Sequence, residues 1–290
     1  MSRSTPWLIG ILISLVATSA LALDARDTAD VKDKGEWAVG VFNPLSLSPQ
    51  EGVELELHPL LFFSAPHLQA RFDHGEVGGD GWRVSSLVGL WFPYPALTSG
   101  PPLGLVGFFV PTCKVAEAEP DTPQGEWCQA PGWMVVPRLG LAASRGDVNV
   151  LTLKADVAGS LMLEGERPAP LDTYAPLDLQ LAPLFNRWRA HASVRYDYLL
   201  RPGMRASVEG HVYRVGKTTL ASQSPWAAAS HLGLDIALSA TSRVSVGLYY
   251  WNTDQRAVSV EKDSQGFGEV KQVRSHDVMP TIDFIWEGGG

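Results

Sequence analysis

The chain has 290 residues, 45% of them hydrophobic, with 31 acidic against 23 basic side chains and a net charge of −8. That balance argues against nucleic acid or an anionic lipid surface as a partner. No composition break or charge block divides it, and no apolar run reaches the roughly 20 residues of a spanning helix, so only a closed barrel of strands could carry it across a membrane.

Residues 1–22 read as a signal peptide. Arg3 gives a basic start, Trp7 to Val16 an apolar run, and Ala20 with Ala22 a small-residue cleavage pattern. Cleavage there leaves 22 basic residues against 31 acidic ones, a charge of −9. Residues 23–34 are charged and lack periodicity, and read as a mobile leader.

Candidate strands then follow one another: Gly35–Asn43, Val53–Phe63, His67–Asp73, Trp82–Phe92 and Leu103–Val110. Next, Cys113 and Cys128 bracket a Pro-rich, acidic stretch, and after export a disulfide is their expected fate, closing 111–131 as a loop. Closure of that size stabilises by about 3 kcal/mol in the chain-entropy model. Two cysteines without a nearby histidine do not make a metal ligand set, and no metal or cofactor is expected.

Trp133–Ala143, Val148–Met162, Leu177–Leu184, Ala190–Leu200 and Met204–Val215 continue the series. Then comes the clearest hairpin, His231–Ser239 and Arg243–Trp251. Leu232, Leu234, Ile236 and Leu238 alternate with His231, Asp235 and Ser239, a two-residue period that sets two faces in two different surroundings. Gln255–Glu261 and Glu269–Arg274 extend it as a polar hairpin within 255–274, and Asp277–Trp286 closes the chain before a tail, 287–290. No amphipathic helix interrupts the strands, so the class is all-β.

Alternation does not say which face is the core, and a soluble sandwich would show the same period with the apolar face inward. Two features favour a membrane barrel. The turn at Arg201, Pro202 and Gly203 and the one at Thr241 and Ser242 are tight, whereas Gly216–Ala227 and the stretch after Trp251 are long, as on the two sides of an outer membrane. Trp82, Trp91, Trp133, Trp188, Tyr198, Trp251 and Trp286 gather near strand ends, where an interfacial girdle would place them.

With its signal peptide and its closing strand, Asp277 to Trp286, the chain resembles the outer-membrane β-barrel proteins of Gram-negative bacteria, which end in an amphipathic strand with a terminal aromatic. Here that aromatic is Trp286, and Glu287 with three glycines follows it. The resemblance implies an antiparallel, up-and-down transmembrane barrel of about twelve strands (ten to fourteen) over 35–286. It also implies location in the outer membrane, contact with its lipid, and handling by the barrel-insertion machinery.

The residues then expected to face the lumen are Lys154, Asp156, Arg195, Asp197, Arg205, Glu209, His211, Asp235, Arg243 and Asp283. The function read from this is passive, a pore or transport channel for small polar solutes or a structural barrel, with low conduction if opposite charges pair. Two alternatives stand beside it. A barrel hydrolase acting on lipid or peptide would use Ser193, His191, Glu209 and His211, although no Gly-x-Ser-x-Gly elbow or His-Glu-x-x-His motif is present and no catalytic residue is assigned. A soluble periplasmic or secreted β-sandwich would bind a ligand instead.

Overall fold

The computed structural model describes residues 23–62, 66–93, 133–164, 182–184, 186–216, 224–262 and 268–289. Its strands are β1 (Trp37–Gly40), β2 (Leu45–Gln50), β3 (Val53–Leu57), β4 (His67–Val77), β5 (Trp82–Trp91), β6 (Met134–Arg145), β7 (Val150–Gly159), β8 (Leu161–Met162), β9 (Trp188–Arg201), β10 (Met204–Val215), β11 (Trp226–Ser239), β12 (Ser242–Lys262) and β13 (Gly268–Gly288). One helical turn, α1 (Pro59–Phe62), follows β3.

Twelve of these strands pair antiparallel in chain order. The ring closes where β13 meets β1, with Trp37 opposite Gly288 and Gly40 opposite Ile285. Strand β9 follows β7 in the ring, and β8 is a two-residue addition paired with β6. The fold is therefore a closed, up-and-down barrel of twelve strands, which leaves no sheet edge unpaired.

The apolar face points outward. On β10, Val208 and Val212 are about half-exposed whereas Arg205 and Glu209 are buried. On β11 and β12, Leu232 (56% exposed) and Leu248 (45%) stand opposite one another on the outside, and Asp235, Arg243 and Ser245 are buried inside. A soluble sheet has the opposite arrangement. This overturns the sandwich alternative, because the face that would have been its core has no protein against it.

At one end of the barrel the connections are tight, at 51–52, 78–81, 146–149, 202–203 and 240–241. Gly203 makes the fourth of them with φ +74°, a conformation that costs a side-chain-bearing residue. The strand ends that flank the longer connections, Trp91 with Met134, Gly159 with Trp188 and Val215 with Trp226, lie at the other end. Beyond it β12 and β13 continue pairing out to Lys262 and Gly268.

Several expectations need correction. Strand β2 went unread, and the span expected from Val53 ends at Leu57, where Pro59 starts α1. Leu177–Leu184 was expected to be a strand. Its described part, 182–184, is instead helical and packs on the inner wall: Leu184 joins Trp91, Met134, Val136 and Ala158, and Ala182 joins Tyr213, Val215, Ala227 and Ala229. Trp91 and Trp251 belong to these inner clusters rather than to a girdle, while Trp133, Trp188, Tyr198 and Trp286 are exposed on the outside. Residues 1–22, the Leu103–Val110 segment and the Cys113–Cys128 pair lie outside the described residues.

Candidate functional site: the barrel lumen

The largest departure from the sequence reading is the leader. Residues 23–34 lie inside the tight-turn end of the barrel, with Leu23, Thr28 and Ala29 buried. Polar contacts with the wall hold them along their length. The Arg26 guanidinium donates to both Asp235 oxygens at 2.9 Å and to Ser245 Oγ at 2.9 Å. Arg205 donates to Leu23 O at 2.9 Å, and Arg243 to Asp24 O at 3.0 Å. Ala29 N–H donates to Ser144 Oγ at 2.6 Å, Arg71 donates to Thr28 O, and Lys32 pairs with Glu54 at 3.1 Å. Arg83 reaches Asp30 at 2.5 Å. A segment without apolar periodicity fits here because its surroundings are a polar wall, where charges rather than a hydrophobic face supply the contacts.

Asp27 is the exception within the leader. Its carboxylate is 53% exposed, and its ion pair to Arg195 is 3.4 Å long. Lys154 opposite, and then Arg195, hold its carboxyl well below the usual carboxylate range.

Further along the lumen, Asp156 gathers four contacts. Arg138 donates to both its oxygens at 3.0 Å, Arg189 donates at 2.5 Å, and His191 Nδ1 lies 2.7 Å away. His191 Nε2 is 3.1 Å from His211 Nδ1, and His211 Nε2 is 3.8 Å from Glu209. The rings of His191, His211 and Tyr213 stack, and the Tyr213 hydroxyl is 3.5 Å from that of Tyr249. An imidazole and phenol shelf therefore runs along the wall from β9 to β12. Its far end is His231, whose ring lies over Gly247: a Cβ there would fall 2.4 Å from His231 Nε2.

Between the leader and the long-loop end lies a cavity of about 870 Å³. Of the ten residues picked from the sequence, Lys154, Asp156, Arg195, Glu209, His211 and Asp283 line it. Asp197, Arg205, Asp235 and Arg243 are buried nearer the leader. Asp197 accepts both arms of Arg195, at 2.8 and 2.9 Å. Asp283 has a mainly architectural role: it accepts from Phe42 N and Asn43 N at 3.0 Å and from the Asn43 amide, fixing the β1–β2 connection.

Sequence reasoning missed Arg26, Asp27, Arg138, Arg189, Tyr213 and Tyr249. Arg138 follows Pro137 in a mostly apolar strand, and Tyr249 stands beside the outward Tyr250. The inward parity of β9 and β12 was the one available signal for Arg189 and Tyr249. The residues of the hydrolase alternative do share this wall, but Ser193 Oγ has no hydrogen-bond partner among the described residues. The contact between nucleophile and base with which such chemistry starts is not among those that hold the wall.

No protein-family model matches the chain, and no curated protein matches it. Solved structures similar to it include outer-membrane expressed OmpT of Vibrio cholerae, at 9% identity and a TM-score of 0.44 over 84% of this chain and 64% of that one. The in-vitro folded form of OmpT, an outer membrane protein of Vibrio cholerae, gives 10% and 0.40 over 89% and 62%. The outer membrane channel DcaP of Acinetobacter baumannii gives 9% and 0.33 over 94% and 68%. The chain thus spans less than two thirds of the Vibrio cholerae protein. The likeness is to outer-membrane β-barrels as a class.

Proposed function

We propose that the protein is an outer-membrane β-barrel with a passive role, admitting small polar solutes to a lumen that its own N-terminal segment narrows. Lipid covers the outward apolar face, and the barrel-insertion machinery recognises β13 with its terminal Trp286. Export through a signal peptide cleaved after Ala22, and oxidation of Cys113 with Cys128, belong to the same reading.

The observation that carries it is the ion-paired leader within a polar lumen. A barrel needed only as a scaffold could fill its interior with side chains, as small barrels do. Here a charged wall is neutralised contact by contact, and a cavity remains beside it. The leader, held by these pairs, narrows the path open to mobile ions, so conductance of the intact protein is low.

Planar-bilayer recording of the mature chain, beside a variant lacking residues 23–34, tests the reading. Small unitary currents in the intact chain and severalfold larger ones in the deletion are expected. Silence in both, with each variant folded, would overturn the channel reading and leave a structural barrel.

A further inference from the structure

Most cations of the cavity are already engaged. Arg26 is bound to Asp235, Arg71 to Glu54 and Glu56, Arg138 to Asp156 and Gln69, and Arg195 to Asp197 and Glu209. Lys154 lines the same cavity and makes no hydrogen bond or ion pair within reach among the described residues. Directly across the β7–β9 ladder stands Ser193, only 8% exposed, with its Oγ also unpartnered. The buried Ser193 hydroxyl is costly unless something completes its contacts, and the half-buried Lys154 ammonium beside it stands open to an anion in the cavity.

Asp27 of the leader lines the same cavity as Lys154 and carries the opposite charge, but its ion pair among the described residues goes to Arg195 instead. Its hold is weak, since its ion pair goes to an Arg195 already bonded through two nitrogens to Asp197. We propose that the cavity binds a small carboxylate-bearing polar solute, whose carboxylate pairs with Lys154 in competition with Asp27.

The chemistry favours one negative charge. Lys154 brings a single compact point charge, which one carboxylate neutralises. Glu56, Glu209 and Asp283 on the same walls oppose a second charge. The remaining surface suits a hydroxylated body: the hydroxyls of Tyr213 and Tyr249 and the imidazoles of His211 and His231 offer donors and acceptors. At about 870 Å³ the cavity falls within the roughly 300–1,000 Å³ typical of small-molecule sites. This inference rests on the reading that polar solutes enter the lumen, but its test needs no conduction.

Equilibrium dialysis of radiolabelled gluconate against the mature protein in lipid nanodiscs is the experiment, with the neutral polyol sorbitol as control. Saturable gluconate binding without sorbitol binding is expected. Lys154→Gln should weaken it about tenfold, as loss of one charge-assisted contact does. Lys154→Arg should retain most of the affinity, and Asp27→Asn should tighten binding by removing the competitor. Heat-modifiable migration confirms that each variant is a closed barrel. No saturable gluconate binding, or binding indifferent to Lys154→Gln in a folded barrel, would overturn the proposal. Weakening in Asp27→Asn would overturn the competition. Silent bilayers with intact gluconate binding would instead count against the channel alone.

Discussion

Asp156 accepts from side chains on two other strands at once: Arg138 of β6, and Arg189 and His191 of β9. Arg189 is only 1% exposed, so its charge has little water to fall back on. Breaking one side of a buried ion pair costs about 3–5 kcal/mol, because the partner charge stays buried. Asp156→Asn should destabilise the barrel on that scale, read as a lower urea midpoint of unfolding in lipid. By contrast, Asp147 pairs with Arg83 at 2.8 Å, but its carboxylate is 89% exposed. Asp147→Asn should cost about 0–1 kcal/mol, as exposed pairs do. Equal shifts for the two would refute the claim that burial sets the difference. Strand parity made the inward direction of Asp156 legible in the sequence. It could not name Arg138 or Arg189, since register across β6, β7 and β9 is fixed by pairing in space and not by spacing along the chain.

At the scale of elements, the leader acts as a thirteenth component of the barrel wall, turned inward. Its anchor is the two-armed contact of Arg26 with Asp235. Asp235→Ala should therefore raise amide exchange across residues 23–34 while leaving β11 and β12 protected. Asp27 contributes one pH-dependent part of its hold. A carboxyl held below its ordinary value of about 3.9 contributes in full above that value, and the contribution is lost as pH falls through the lower folded value. Leader protection, corrected for intrinsic exchange, should then be the same near pH 5 as near pH 7, and should decline only under stronger acid. A fall already near pH 5 would contradict the assignment. The leader was illegible because periodicity reports a segment with two unlike faces, and this one meets polar wall all round. Strand β2 hid for a related reason: Pro49 and Gln50 close a run too short to show its alternation. The apolar run at 177–184 misled in the other direction, since in its described part its apolar residues serve as inner-wall packing at 182–184.

For the whole molecule, the decisive property is that the barrel is apolar outside and charged inside. Alternation was visible in the sequence at once, but its sign came from unequal turn lengths and strand-end aromatics, features that lie outside the alternating residues themselves. The sign makes a depth-dependent prediction. Leu248 lies six residues into β12 from its tight-turn start at Ser242, on the outer face opposite Leu232. Trp286 is also on the outer face, but opposite Ser242, at the edge of the barrel. An arginine facing lipid costs about 2–4 kcal/mol near the bilayer midplane and about 0–1 near the interface. Leu248→Arg should thus lower the unfolding free energy in lipid by the larger amount and Trp286→Arg by the smaller, measured by reversible denaturant titration in vesicles. In a barrel whose outer face met water, neither substitution would carry a depth-dependent cost. Equal, small effects at both positions would therefore remove the bilayer from the account of this fold.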